Sequence, residues 1–314
     1  MTASARPRLR VIVDNDLSGD PDGLVQLAHH ALSPSVDLRL VIGSHLRPGD
    51  PFDPSGTTAD NAAARAREVL ALAGRDDVPV LAGSNVGLVD RATPVRSAAA
   101  EALVAEAMRS DVDTPLFVCA GAGLTEVASA WLLDPRIAER LTLVWIGGPE
   151  HPGLAEPPPG AMPIEYNLLI DVLAASIVFG DSTIPVWLVP RDAYRQTLAS
   201  FAELQLRLGG AGALGAWLYE ALDGVRTMAG QHGFDLGETY ILGDSPLVLL
   251  TALQSAFEPD PSSSRYVTRE TPGITPEGQY TPVPGARPMR VYTQLDNRLM
   301  FEDMYAKFQV HGRA

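Results

Sequence analysis

The run Val13-Asp14-Asn15-Asp16-Leu17-Ser18-Gly19-Asp20-Pro21-Asp22 places four carboxylates within nine residues. An apolar stretch precedes it and an apolar helical pattern follows, so the acids sit where a strand ends and a helix begins. Clustered carboxylates repel one another, and a hard divalent cation with oxygen ligands relieves that repulsion most simply. Strand alternation puts Asp14 and Asp16 on the same side if the strand persists that far. Part of the cluster also has a structural use: Asp20 suits a helix N-cap and Asp22 a first helical turn. Capping accounts for one or two of the four acids at most.

A second constellation, Glu165-Tyr166-Asn167, offers a carboxylate, a ring and an amide directly after a Pro-rich loop. That combination suits hydrogen bonds to sugar hydroxyls, and Asn167 equally suits an N-cap before the apolar helix that follows. Gly243-Asp244-Ser245-Pro246-Leu247 has the form of a helix start with Pro at the first helical position. Gly121-Ala122-Gly123-Leu124-Thr125 begins like a dinucleotide turn, but Glu126 occupies the third glycine position. Cys119 lies within an apolar strand and reads as a buried thiol, and His29-His30 lie within a helix. His45 follows the second strand and His151 lies in the long Pro-rich loop, so both could reach a site edge. No G-x-S-x-G elbow and no Cys or His pair with zinc spacing is present.

These residues need a frame. Short β-branched runs predict strands over Leu9–Asp14, Leu38–Ser44, Val78–Ala82, Pro115–Ala120, Leu141–Gly147, Ile184–Pro190 and Met289–Gln294. Helical patterns fall over Asp22–Leu32, Thr58–Ala73, Arg96–Arg109, Leu124–Leu133, Leu168–Phe179, Asp192–Leu208, Leu214–Gln231, Pro246–Ala256 and Asn297–Phe308. Such alternation predicts an α/β fold: a mostly parallel central sheet with helices on both faces. Several strands are almost continuously apolar, as strands covered on both faces must be. No domain boundary shows, so residues 1–314 read as a single domain whose active edge is at the carboxyl ends of the strands. The loop Gly148–Pro163 is rich in Pro and Gly, and 258–288 reads as an irregular loop or flap.

Composition narrows the function. The chain has 314 residues, 46% hydrophobic and 20% charged, with a formal net charge of −14. That balance excludes a largely disordered chain and leaves no basic stripe for a nucleic-acid polymer. The single cysteine excludes an intramolecular disulfide. The first apolar run, Val11-Ile12-Val13, is too short for a signal-peptide core, and no stretch of about 18 apolar residues could span a membrane. The expectation is a soluble cytoplasmic protein.

Taken in order, the motifs resemble those of the nucleoside hydrolase family, inosine-uridine-preferring type. That family opens with a strand ending Asp-x-Asp-Pro-Gly-x-Asp-Asp, matched here by Asp14 to Asp22, with Pro21 separating the last two acids. Its second strand ends Gly-Asn, here Gly43-Ser44, and its Asn-Ala helix matches Asn61-Ala62. Gly123-Leu124-Thr125-Glu126 stands at its Gly-Pro-Leu-Thr-Asn turn, with Asp134-Pro135 later and Gly147-Gly148 after the next strand. Ile164-Glu165-Tyr166-Asn167 and Asp171 match its Ala-Glu-Phe-Asn-x-x-x-Asp segment, and Asp244-Ser245-Pro246-Leu247 its late His-Asp-Pro-Leu. The order holds over roughly residues 10–255.

The resemblance implies metal-assisted hydrolysis of the N-glycosidic bond of a small-molecule riboside. It implies Ca²⁺ as cofactor, held by Asp16, Asp20 or Asp22, the Thr125 carbonyl and Asp244. Alignment on Pro246 alone would put Ser245 at the late ligand place. Asp16 is then the base that activates water, and Asp20, Ser44, Glu165 and Asn167 hold the sugar. The late histidine is absent here, which leaves the leaving group open, as is homo-oligomerisation. Two other readings fit some of the same residues. One is a haloacid-dehalogenase-like phosphatase, using Asp14-x-Asp16 and Gly243-Asp244. The other is a Ca²⁺- and pentose-binding protein without turnover.

Overall fold

Every residue of Leu9–Asn15 is buried, as a strand covered by helices on both faces requires. The computed structural model, which describes residues 6–258 and 260–313, places this strand inside the main sheet, between two parallel neighbours. In chain order the strands are β1 (Leu9–Asn15), β2 (Val36–Gly43), β3 (Val80–Ala82), β4 (Leu116–Ala120), β5 (Leu141–Ile146), β6 (Val186–Val189), β7 (Leu198–Ser200), β8 (Thr239–Ile241), β9 (Arg265–Glu270), β10 (Gly273–Ile274), β11 (Tyr280–Thr281) and β12 (Pro288–Gln294). Eight of them form one sheet in the order β3-β2-β1-β4-β5-β6-β12-β9, parallel except for β9. All seven strands expected from the sequence lie in it.

The side-chain alternation of β1 divides the core. Val11 and Val13 pack with helices Asp22–Ala31, Gly212–Gln231 and Asn297–His311 on one face. Ile12 packs with Ala98–Ala107, Thr125–Leu133 and Val172–Gly180 on the other. Chain order reverses between β1 and β4, which makes their carboxyl ends the topological switch point where open α/β sheets bind ligands.

Three expectations change. The helix expected over Leu168–Phe179 breaks at Asp171, whose side chain accepts the Ala174 N–H and starts a new helix, Val172–Gly180. The helix expected over Asp192–Leu208 is interrupted: a short helix, Arg191–Tyr194, gives way to β7, which pairs antiparallel with β8, and helical structure resumes over Phe201–Glu203 and Leu204–Gly209. Only Pro246–Leu249 of the expected Pro246–Ala256 helix is α-helical. The 258–288 stretch is not irregular throughout: β9 pairs antiparallel with β12 along the sheet edge, and β10 and β11 form a small hairpin. No described helix is long and apolar enough to cross a membrane.

Candidate active site

At the switch point lies a cavity of about 270 Å³, lined by Asp16, Asp20, Asp22, Glu165, Asn167 and Asp244. That volume suits a small molecule. Phe52, Ile146, Tyr166, Tyr194 and Ile241 supply the apolar and aromatic wall, and no basic side chain lines it among the described residues.

Local geometry explains how distant acids converge. β1 ends at Asn15, and a turn follows in which the Gly19 N–H donates to the Asp16 carbonyl. Asp16 therefore lies past the pleat and on the cavity, while Asp14 stays within the strand and off it. Asp20 accepts the Asp22 N–H at 3.2 Å and the Tyr240 hydroxyl at 2.6 Å. Asp22 sits in the first turn of its helix, and its Oδ2 accepts the Asp244 N–H at 3.0 Å. The N-cap of this helix is Pro21 and not Asp20, and no side chain caps it; Asp20 instead accepts the Asp22 N–H from one residue before the cap, while Asp22 takes its expected place in the first turn. Asp244 lines the cavity, whereas Ser245 is wholly buried and does not.

Glu165 and Asn167 arrive from the loop after β5. Glu165, not Asn167, caps helix Tyr166–Ile170: its Oε2 accepts the Leu168 and Gly148 N–H groups, and its Oε1 the Tyr194 hydroxyl. Asn167 donates to the Ile146 carbonyl at 2.8 Å, which holds its amide at the cavity wall.

Electrostatics are set by burial and like charge. Burial pushes the Asp16 carboxyl well above its ordinary range, and Asp244, Asp20 and Asp50 add to it. Asp22 rises for the same reasons, with Asp244 its strongest like-charged neighbour. Asp244 is pushed up to about 7 by burial, against the bond from Asn15. Glu165 is raised by burial although four hydrogen bonds oppose the shift. No ion pair among the described residues includes any of these acids. No three acid or imidazole side chains there converge into a finished metal cage. The donor set still fits a hard cation, being all oxygen, largely buried and uncompensated in charge.

Two expected site residues lie elsewhere. The Ser44 hydroxyl donates to Asp14 Oδ1 beside the cavity, not into it. Thr125 starts its helix with the hydroxyl on Asp171 Oδ2 (2.7 Å) and 2.9 Å from His45 Nε2, and it does not line the cavity. Gly121 occupies the wall instead, because a Cβ there would meet Asp244 Oδ2 and Asn15 Nδ2 at 2.6 Å. Asp14, which the phosphatase reading needs beside Asp16, is likewise off the cavity. His45 and His151 do not line it either. Sequence reasoning missed Tyr194 and Tyr240, which lay in segments without a chemical pattern. It passed over Asn15 and Gly121, although both stood inside the runs it singled out.

Residues 11–302 match the family model described as inosine-uridine preferring nucleoside hydrolase. A stretch of 79 residues is 42% identical to an inosine-uridine preferring nucleoside hydrolase from Leishmania major, covering 25% of this chain and 23% of that protein. The chain thus matches about a quarter of that relative's length. Among solved structures it resembles a plant nucleoside hydrolase, with TM-score 0.72 and 19% identity over 96% of this chain and 99% of that one. It also resembles a purine-preferring ribonucleoside hydrolase from Gardnerella vaginalis, with TM-score 0.75 and 18% identity over 97% of this chain and 100% of that one. These likenesses establish the fold.

Proposed function

The chain belongs to the inosine-uridine preferring nucleoside hydrolase family, and on that premise we propose that it hydrolyses the N-glycosidic bond of a ribonucleoside or related riboside. The observation that carries this reading is the cavity itself. Five carboxylates and one amide meet at the switch point, with no basic side chain among them. Such a wall disfavours an anionic substrate such as a phosphate ester and favours a reaction in which the substrate gains positive charge. Cleavage of a glycosidic bond does so, because the sugar ring becomes oxocarbenium-like as the leaving group departs.

The carboxylates of Asp16, Asp22 and Asp244 are the groups that would hold Ca²⁺, with Gly121 at the wall beside them. When bound, the cation supplies charge compensation and lowers the pKa of a water near the sugar. Asp16 accepts the proton that water gives up as it attacks. Asp20, Glu165 and Asn167 take the sugar hydroxyls. Tyr240 and Tyr194 orient Asp20 and Glu165 by hydrogen bonds and keep those carboxylates aimed. The aromatic and apolar wall of Phe52, Tyr166 and Ile241 is left for the leaving group.

The test is incubation with a panel of purine and pyrimidine ribonucleosides in Ca²⁺, scored for reducing sugar. Release of ribose from at least one is expected. Ligand-induced stabilisation with no sugar released from any would overturn hydrolysis and favour a binding protein.

A further inference from the structure

A chain of buried polar groups runs away from the cavity through the helix that carries Asp22. Asn15 Nδ2 donates to Asp244 Oδ2 at 2.8 Å and to Gln26 Oε1 at 3.1 Å. Gln26 Nε2 meets His30 Nδ1, and His30 Nε2 lies 2.9 Å from Thr251 Oγ1. Thr251 donates to the Leu247 carbonyl at 2.6 Å. Asn15, Gln26, His30 and Thr251 are fully buried, so no solvent can substitute for any link.

We propose that Asn15, Gln26 and His30 form a positioning relay that fixes the Asp244 carboxylate for cation binding. The proposal rests on the reading of Asp244 as a ligand. The chemistry of the ends dictates the direction of every bond. Asn15 turns Nδ2, not Oδ1, to Asp244 Oδ2, so it presents its NH₂ there. That same nitrogen faces Gln26, so Gln26 answers with Oε1 and turns its own NH₂ to His30. His30 Nδ1 therefore accepts, its proton sits on Nε2, and Thr251 receives it and passes its hydroxyl proton to the Leu247 carbonyl. Asn15 Oδ1 is buried with no partner, which shows that this amide is placed for its donors.

The frame around the relay supports a role in placing Asp244. Asp22, Gln26 and His30 are spaced four apart and share one face of helix Asp22–Ala31. The relay leaves that helix at Asp244 and returns to Leu247, three residues on, so it ties both ends of the helix start at Pro246 to the element bearing Asp22. Two glycines make the room. A Cβ on Gly121 would stand 2.6 Å from Asn15 Nδ2, and one on Gly23 would stand 3.0 Å from both polar atoms of the Asn15 amide.

The experiment combines calcium titration and histidine NMR on the full chain. Chelator-stripped wild type, His30→Phe and His30→Gln are titrated with Ca²⁺ by calorimetry. Loss of a group that orients a ligand should weaken Ca²⁺ binding by about 10–100-fold. His30→Phe should show that loss, and His30→Gln, which keeps one acceptor and one donor, should recover most of it. Unchanged affinity in a folded His30→Phe would overturn the relay. In ¹⁵N-histidine-labelled wild type, His30 should be neutral with its proton on Nε2, and a proton on Nδ1 would overturn the relay even if no variant folds. Wild type that binds no Ca²⁺ would sink the calcium reading, and the tautomer would still decide the direction of the relay.

Discussion

Replacing Arg191 with Met should release the Pro-rich loop that follows β5. Arg191 Nε and Nη2 reach Glu150 Oε1 and Oε2 at 2.8 and 2.6 Å, a bidentate pair whose side chains are 10% and 1% exposed. Its Nη1 also donates to the Met162 carbonyl near the far end of the loop. The substitution keeps the aliphatic stem but leaves the Glu150 carboxylate buried and alone. Breaking a buried pair from one side costs about 3–5 kcal/mol. Because the penalty is mostly the stranded charge, Glu150→Leu combined with Arg191→Met should recover most of it. Urea unfolding of wild type, both single variants and the double variant gives the coupling directly. Acid supplies an internal control. The Arg191 hydrogen bonds hold the Glu150 carboxyl below its ordinary range. The stabilisation from that shift is therefore present above the ordinary carboxyl pKa of 4.5 and lost as pH falls through the lowered value. The advantage of wild type over the double variant should shrink there. A single-variant cost under about 1 kcal/mol, the range of exposed pairs, would refute the idea that this pair pins the loop.

Other outcomes follow from the site. Asn167→Ala should lower kcat more than it raises KM, by roughly 1.5–3 kcal/mol in kcat/KM on ribosides and less on the matching deoxyribosides. Equal small losses on both sugars would leave Asn167 only its bond to the Ile146 carbonyl. Ser44→Ala should destabilise the protein by about 1–3 kcal/mol, because Asp14 Oδ2 already lacks a partner and Oδ1 would lose its own. A changed KM with unchanged stability would instead put Ser44 on the substrate. Calcium should stabilise the protein more at pH 8 than at pH 5.5. Asp244, raised to about 7, keeps its proton below that value and must shed it to bind a cation. Folding without metal favours that protonated form, so the metal-free protein loses the stability this proton gives as pH rises from the ordinary carboxyl value of 3.8 to about 7. Equal shifts in Tm at both pH values, measured by calorimetry, would contradict this.

The parallel sheet was legible because several of its strands, β1, β4 and β5 among them, are buried on both faces and read as nearly unbroken apolar runs. What escaped was structure made by distant pairing. Leu198–Ser200 sits in a Leu- and Ala-rich window with a helical look, and it becomes β7 only because β8 lies alongside it. Arg265–Glu270, RYVTRE, has no clean alternation of polar and apolar residues and sits in a Pro- and Ser-rich setting, so only its pairing with β12 marks it as a strand. The site divided the same way. Asp16, Asp20 and Asp22 were visible because they crowd one strand-to-helix junction, and Glu165, Asn167 and Asp244 because the order of motifs marked them. Thr125 and Gly121 stand four residues apart in one turn, and spacing alone does not say which meets the cavity. That depended on Asp244 and Asn15, whose side chains need the space a Cβ would fill. Tyr194 and Tyr240 support the acids through single hydroxyls from elements the sequence did not resolve.

The room around the Asn15 amide is shared by three positions, because Gly23 and Gly121 both border it. A Cβ at 121 would meet both the Asn15 amide and the Asp244 carboxylate, one at 23 would press on the Asn15 amide alone, and a smaller residue at 15 strips Asp244 of its donor. The three sites are therefore not free to drift one at a time. A smaller residue at 15 therefore does not by itself admit alanine at 121, because the Asp244 carboxylate still stands where the new Cβ would sit.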